Sequence, residues 1–194
     1  MNSFDQKIRE AFLSSADTMR ATNLAAQITK AVELLHACFA SGNKVLMCGN
    51  GGSSEQAQHF ATELMGRYKK ERQALPAIVL GSYAPLLTAL GNDYGFETIF
   101  SRELSGLGKR GDVLVAFSTS GNSKNVIEAV SVAKNLGIKT IGFSGEKGAL
   151  RTAVDIALAV SSADTPRIQE THLLMVHIIS ELIEDILSEH EQAQ

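Results

Sequence analysis

Short apolar runs of strand length alternate with longer helical patterns from residue 44 onward, and this alternation restricts the fold more than any other feature of the chain. The strand-like runs lie at 44–48, 77–80, 113–117, 139–143 and 156–160. The helical patterns lie at 53–65, 83–90, 96–107, 126–136 and 167–187. Strands that alternate with helices pair in parallel through right-handed crossovers. The pattern therefore predicts an α/β fold with one parallel sheet and helices on both faces.

Two amphipathic helices are expected before the first strand. Apolar side chains recur at intervals of three or four residues in 5–19 and in 21–40, and Gly42 is expected to end the second helix. With these helices in about 1–42, the 194 residues are expected to form one domain, 1–194, that is long enough to bury a substantial core. Further along, residues 91–95 are expected to form a loop between two helices.

Composition and charge exclude several classes of protein. Hydrophobic residues make up 44% of the chain and charged residues 20%, which argues against extensive disorder. The net charge of -3 provides no general basic surface, so no nucleic-acid partner is expected. No apolar run approaches the roughly 20 residues that cross a bilayer, and no secretory signal is visible, so we expect a cytoplasmic protein without a membrane partner. Cys38 and Cys48 lie in apolar runs without zinc or redox spacing, which predicts reduced, buried thiols.

Glycines and serines follow the strand-like run at 44–48. Gly49, Asn50, Gly51 and Gly52 lead directly into a helical pattern that begins at Ser53. Backbone NH groups and a helix N-terminus therefore converge at one point, an arrangement that binds anions such as phosphate.

A second polar loop, 118–123, follows the run at 113–117 and contains three serines and a threonine. Hydroxyl and NH groups at a helix start can surround a phosphate, but serine is also a favoured N-cap residue, so for this loop alone the two interpretations are about equal. Two such loops at strand ends favour ligand binding, because ligands of parallel sheets bind beyond the carboxyl ends of strands. Neither loop has the dinucleotide-binding or the phosphate-loop pattern, which argues against a nucleotide.

His59 and Glu63 are four residues apart and share one face of the predicted helix 53–65. Such a pair can ligate a metal or take part in acid/base chemistry, although a solvated polar pair is the commoner case on spacing alone. His36 and His190 have no supporting neighbours and are interpreted as structural or solvated.

The last predicted helix carries four further candidates. Glu170 and His177 are seven residues apart and share a face, whereas Gln169 lies about 80° from His177. His172 lies about 140° from His177, so one compact site is not expected to use both histidines. His177 lies among apolar residues, where a histidine is more often part of the core than a catalyst.

Together these residues closely resemble the phosphoheptose isomerases, or sedoheptulose 7-phosphate isomerases, of the sugar isomerase (SIS) domain family. The matching segments are 48–53, 59–63, 92–93, 118–123 and 167–177. The resemblance implies a flavodoxin-like three-layer α/β sandwich that forms a homotetramer with active sites at subunit contacts. It also implies conversion of D-sedoheptulose 7-phosphate to D-glycero-D-manno-heptose 7-phosphate, the first step towards the heptose of bacterial lipopolysaccharide.

The resemblance also implies the residues of the site. One Zn²⁺ per subunit would have four ligands: His59, Glu63, Gln169 and His177. The sugar phosphate would be contacted by Asn50, Gly51, Gly52, Glu63, Asn92, Asp93, Ser118, Thr119, Ser120, Ser123 and Gln169. Glu63 is expected to act as base and His177 as acid in proton transfer through an enediol. Helical geometry favours Glu170 over Gln169 as the neighbour of His177, whereas the motif selects Gln169, and we follow the motif.

Two competing functions stay open at the level of the sequence. One is a non-enzymatic tetramer of the same superfamily that binds a replication initiator protein, but that relative lacks equivalents of Glu63 and His177, which this chain has. The other is a sensor that binds a sugar phosphate and regulates a partner, although no DNA-binding segment is visible.

Overall fold

The computed structural model describes residues 3–192, with side-chain surroundings described as far as Ser188, so the interpretation of His190 lies outside the described side chains. The helices are α1 (Ser3–Ala21), α2 (Ala25–Ala40), α3 (Gly52–Met65), α4 (Ala84–Tyr94), α5 (Ile99–Leu107), α6 (Lys124–Asn135), α7 (Leu150–Ala153) and α8 (Thr165–Gln192), and a 3₁₀ turn (Phe96–Thr98) precedes α5. The strands are β1 (Val45–Cys48), β2 (Ala77–Val79), β3 (Val113–Ser118), β4 (Lys139–Ser144) and β5 (Ile156–Ala159).

The five strands form one sheet in the order β2-β1-β3-β4-β5, and every neighbouring pair is parallel. This is the flavodoxin-like order, in which the chain reverses its direction of winding between β1 and β3. Val45 pairs with Val113 and Cys48 with Ala116, so the carboxyl ends of these two strands lie side by side. The predicted fold class, a three-layer α/β sandwich preceded by two N-terminal helices, is confirmed.

Apolar side chains of the central strands alternate between two cores. Val45 and Met47 face a cluster that contains residues of α2, α3 and α8, whereas Leu46 and Cys48 face a cluster that contains residues of α5 and α6. All residues of β1 and β3 are buried, which explains why these strands are continuous apolar runs rather than alternating ones. The two cores place α3 and α6 on opposite faces of the sheet.

The prediction of a loop at 91–95 is wrong, because α4 continues through Tyr94. Gly91, Asn92 and Asp93 are weak helix formers, but each costs only about 0.5–1 kcal/mol relative to alanine, which tertiary packing can override. The helix ends at Gly95, whose positive φ of 91° glycine adopts at low cost. The short helix α7 was not expected from the sequence, since four residues are too few to show a helical period.

Cys38 and Cys48 are both buried and unpaired, as expected. Burial raises the pKa of the Cys48 thiol to about 12, and burial together with the charge of Asp112 raises that of Cys38 to about 11. Both therefore stay protonated at neutral pH and behave as small apolar groups. Within residues 3–192, no helix combines the length and apolarity that crossing a membrane requires.

Asp112 joins the starts of the two central strands. Its carboxylate is 1% exposed and accepts hydrogen bonds from the Lys44 NH at 3.1 Å, the Lys44 ammonium at 2.7 Å and the Lys109 NH at 2.9 Å. Burial by itself raises the pKa of this carboxyl, but the hydrogen bonds from Lys44 and Lys109 outweigh it and hold the pKa below its usual 3.8. Because Lys44 precedes β1 directly, one ionised side chain links β1 to β3.

Asp112→Asn is expected to lower the free energy of unfolding by about 2 kcal/mol at pH 7, because charge-assisted hydrogen bonds are lost. The pKa of Asp112 is lower in the folded than in the unfolded state, so its stabilisation is complete above about pH 5 and is lost as the pH falls through the folded-state value. Urea unfolding at pH 7 and at pH 3 measures both effects. Asp17→Asn, on the exposed face of α1, is the control, and equal losses for the two variants at pH 7 would contradict the prediction.

Candidate active site

The two loops that leave β1 and β3 lie together where the winding of the sheet reverses. The side-chain amide of Asn50, in the loop after β1, exchanges two hydrogen bonds of 2.9 and 2.8 Å with that of Asn125 on α6. Asn125 also accepts a bond from the Val126 NH at 3.0 Å, which holds its amide in one orientation. The sequence did not indicate Asn125, because its partner lies 75 residues away.

The loop after β1 is a tight turn against α3 and α8. Gly51 has a φ of 51°, and its carbonyl accepts the Ser54 NH at 2.8 Å. A side chain at Gly52 would bring its Cβ to 2.5 Å from Nε2 of Gln169. Gly52 therefore allows the amide of Gln169, on α8, to lie directly against the loop.

The loop after β3 presents a cluster of serine hydroxyl groups. Ser118 Oγ lies 2.9 Å from Ser123 Oγ and 3.5 Å from Ser120 Oγ, and Ser120 Oγ accepts the Asn122 NH at 3.1 Å. Ser123 is the N-cap residue of α6, yet its side chain makes no capping hydrogen bond to the helix. This observation favours the interpretation as an anion site, because the hydroxyl groups face one another at the helix start instead of the helix amides.

Three potential metal ligands converge between α3 and α8. His59 Nε2 lies 2.9 Å from His177 Nε2 and 3.1 Å from Glu63 Oε1, and the ligand atoms of the three residues all lie within 4.8 Å of one another. Ligands of a tetrahedral zinc ion lie about 3.3 Å apart. The distances from His59 to His177 and to Glu63 are close to this value, and the remaining pair lies within 4.8 Å, so the three residues are placed to share one metal ion after a small adjustment of their side chains. Two imidazole nitrogens and a carboxylate oxygen are also a donor set that Zn²⁺ prefers. The group is called the His–Glu–His group below.

Gln169 and Glu170 line the same cavity of about 320 Å³ as Gly52 and His59. The main-chain oxygen of Gln169 accepts a hydrogen bond of 2.5 Å from the Gln56 amide. Glu170, which helical geometry favoured, instead accepts a hydrogen bond of 2.7 Å from the guanidinium of Arg167. The side chain of Gln169 is thus directed to the loop after β1, whereas that of Glu170 is engaged by a neighbour on its own helix.

His172 lies apart from the His–Glu–His group, as its angular position predicted. It is completely buried, its ring makes edge contacts with Phe117 and Phe143, and its Nε2 donates to the carbonyl of Ser144 at 3.1 Å. Burial lowers the pKa of His172 to about 4, so the ring is neutral at physiological pH. Its role is to attach α8 to the end of β4.

Two further observations concern residues outside the His–Glu–His group. Asn92 and Asp93 are exposed in the last turn of α4, where the Asn92 amide donates to Asp93 at 2.7 Å, and neither belongs to the His–Glu–His group. The ring of Tyr68 lies 5.5 Å from that of His177, centre to centre. No motif marks Tyr68 in the sequence, because it lies in a polar loop and meets His177 only through the fold.

The chain belongs to the SIS domain family, because the family model described as the SIS domain matches residues 10–145. The fold and the site described above agree with this class of protein. The phosphoheptose isomerase of Campylobacter concisus is 49% identical over 164 residues, which are 84% of this chain and 87% of the relative. Within the SIS domain family the chain belongs to the phosphoheptose isomerases, as the sequence predicted.

Solved structures agree with this assignment. A phosphoheptose isomerase from Neisseria gonorrhoeae is similar with a TM-score of 0.89 and 38% identity, covering 94% of this chain and 100% of that one. One from Francisella tularensis has a TM-score of 0.90 and 39% identity, covering 95% of this chain and 100% of that one.

His177→Ala is expected to weaken Zn²⁺ binding roughly 100-fold, because it removes one of three converging ligands. Competition with a chromophoric chelator measures the dissociation constant. His36→Ala is the matched control, since His36 lies on α2 outside the His–Glu–His group. If His177→Ala and the wild type bound Zn²⁺ equally well, the group would not be a metal site.

Proposed function

We propose that this chain isomerises D-sedoheptulose 7-phosphate to D-glycero-D-manno-heptose 7-phosphate in heptose biosynthesis, for the heptose of lipopolysaccharide. The observation that carries the proposal is the convergence of Glu63 and His177 with His59. A second polar cluster, the serine hydroxyl groups of the loop after β3, supplies the anion site. A carboxylate and an imidazole beside an anion site are what the isomerisation of a sugar phosphate requires.

The phosphate is assigned to the loop after β3. The hydroxyls of Ser118, Ser120 and Ser123 and the start of α6 supply hydrogen-bond donors and a favourable helix dipole. The sugar then extends towards the His–Glu–His group along the loop after β1. The proposed substrate contacts are Asn50, Gly51, Gly52, Glu63, Asn92, Asp93, Ser118, Thr119, Ser120, Ser123 and Gln169.

Glu63 and His177 are assigned the two proton transfers. Glu63 removes a proton from C1 of the ketose while His177 protonates the O2 carbonyl oxygen, which gives the enediol. Glu63 then returns its proton to C2 while His177 takes the proton from O1, which leaves the aldose. Each group ends in its starting protonation state, so no further reactant is needed.

The proposed cofactor is one Zn²⁺ per subunit, held by His59, Glu63, Gln169 and His177. When bound, it would supply positive charge that polarises the carbonyl group and stabilises negative charge on the enediol oxygens. Glu63 has two carboxylate oxygens and His177 two ring nitrogens, so ligation through one atom of each leaves the other atom able to carry a proton. Gln169 is the natural fourth ligand because its side chain lies against Gly52, in the cavity that His59 also lines.

A homotetramer in the cytoplasm is also proposed. In α1 the apolar side chains of Phe4, Ile8, Phe12 and Leu13 are 55–75% exposed. Exposed apolar residues clustered on one helix indicate a surface that another protein covers, and a second copy of this chain is the proposed partner. The alternative, a non-enzymatic tetramer that binds a replication initiator, is not favoured, because that relative lacks equivalents of Glu63 and His177, which converge with His59 in this chain.

Glu63→Gln and His177→Ala are each expected to lower kcat roughly a thousandfold, because each removes a proton-transfer group. NMR of the sugar products during turnover of sedoheptulose 7-phosphate measures this. Glu33→Gln, on the exposed surface of α2, is the matched charge control and should keep the wild-type rate.

The same assay, together with a treatment with chelator and a separate test of binding to a replication initiator, distinguishes three other outcomes. Near-normal turnover by both folded variants would show the assigned roles to be wrong. Full activity after treatment with a chelator would remove the metal from the proposal but not the proton transfers. An inactive wild type that binds a replication initiator would support the alternative.

Phe12→Glu is expected to dissociate the tetramer, because it places a charge in the apolar surface of α1, where Phe12 is 75% exposed. Sedimentation velocity measures the oligomeric state. Ser14→Glu adds the same charge to another face of α1 and should leave the assembly intact. Unchanged sedimentation of Phe12→Glu would mean that this surface is not an interface.

A further inference from the structure

A buried carboxylate on α8 binds the loop that follows α3. Glu184 is 1% exposed, and its two oxygens accept the backbone NH groups of Tyr68 at 2.7 Å, Lys69 at 2.8 Å and Lys70 at 2.9 Å. Burial by itself raises the pKa of this carboxyl, but these bonds and the charge of Arg72 hold the pKa below its usual 4.5. The proposed reaction uses none of these groups, although the loop includes Tyr68, whose ring lies beside His177.

The guanidinium of Arg72 lies between Glu184 and the end of α3. Its Nε is 3.2 Å from a Glu184 oxygen, and only 3% of the side chain is exposed. It donates to the carbonyl oxygens of Glu63 at 2.6 Å, Leu64 at 2.8 Å and Gly66 at 3.3 Å. The carbonyls of Glu63 and Leu64 belong to the last turn of α3 and that of Gly66 follows the helix directly, so none of them has a partner within the helix. The same residue therefore caps α3 and pairs with α8.

This network lies close to the His–Glu–His group along both helices. Arg72 contacts the main chain of Glu63 itself, and Glu184 follows His177 by seven residues, which is two turns or about 10 Å on the same face of α8. Two other ion pairs join the loop to α8, Lys69 to Glu181 and Lys70 to Asp185, each at 2.7 Å. Their side chains are about half exposed, so they contribute little to the attachment.

We propose that Glu184 is a positioning residue for metal binding: through Arg72 and the loop amides it holds the end of α3 at the distance from α8 that lets His59, Glu63 and His177 share one ion. This inference rests on the proposed metal-binding role of that group. Groups that orient metal ligands without touching the metal typically affect metal affinity 10- to 100-fold. Glu184 and Arg72 would orient the ligands in this indirect way. Arg72 contacts the backbone of the ligand Glu63, and Glu184 binds the loop that follows α3.

Glu184→Gln tests the proposal. The variant keeps the size of the side chain, but one of the two oxygens that accept backbone NH groups becomes an NH₂ group, which cannot accept them. The Zn²⁺ dissociation constant, from chelator competition on folded protein, is expected to rise at least roughly 10-fold. Hydrogen exchange at the amides of Tyr68, Lys69 and Lys70 is expected to become faster. Glu181→Gln removes the same charge one turn earlier on α8, from the exposed pair with Lys69, and should change neither measurement.

A Glu184→Gln variant with lower melting temperature but unchanged Zn²⁺ affinity would overturn the proposal, since that is what a purely structural role predicts. If this variant does not fold, Arg72→Lys provides the test: it keeps a positive charge near Glu184 but loses the fork that binds the α3 carbonyls, and the same rise in dissociation constant is expected. If the wild type binds no Zn²⁺, the proposed metal site itself fails. If the wild type binds Zn²⁺ and both folded variants match it, only the positioning role fails.

Discussion

The parallel pairing of β1 with β3 is the constraint on which the rest of the structure depends. Because the two strands run in the same direction, with Cys48 opposite Ala116, the segments that follow them leave the sheet at the same edge. Both strands are also buried on both faces. The helices that follow, α3 and α6, pack on opposite faces, which opens a crevice between their first turns. The loop after β1 and the hydroxyl groups after β3 face this crevice for topological reasons, before any particular side chain is considered.

The last helix completes the site by long-range packing. Buried apolar residues of α8, including Ile168, Val176 and Ile179, pack in the same core as α3 and β1, and this burial places His177 opposite His59. Polar contacts then refine the placement: His172 attaches α8 to β4, and Glu184 attaches it to the loop after α3. An apolar core brings the helices together, and directional hydrogen bonds determine their exact separation.

Individual errors in the sequence interpretation have local causes. Residues 91–94 contain weak helix formers and were expected to form a loop, but the preferences involved are smaller than the packing energy of a helix. The partners of Asn50 and His177 outside their own motifs, Asn125 and Tyr68, could not be found, because no periodicity relates residues that meet only after the sheet has formed. The apolar residues next to His177 in the sequence indicated a histidine of the core. In the structure, its Nε2 lies 2.9 Å from that of His59.

The parallel α/β sheet, the two polar loops at strand ends and the family were predictable from the sequence, because strand and helix periods and short motifs are local properties of a chain. The sequence also placed His59 and Glu63 on one helical face. The family resemblance added His177 to the expected ligands. The tertiary structure was needed to show how closely His177 approaches His59, that the Ser123 hydroxyl faces other serines instead of capping α6, and that Glu184 holds the loop after α3 to α8. These are contacts between segments far apart in the chain, and their distances follow from how the helices pack on the sheet.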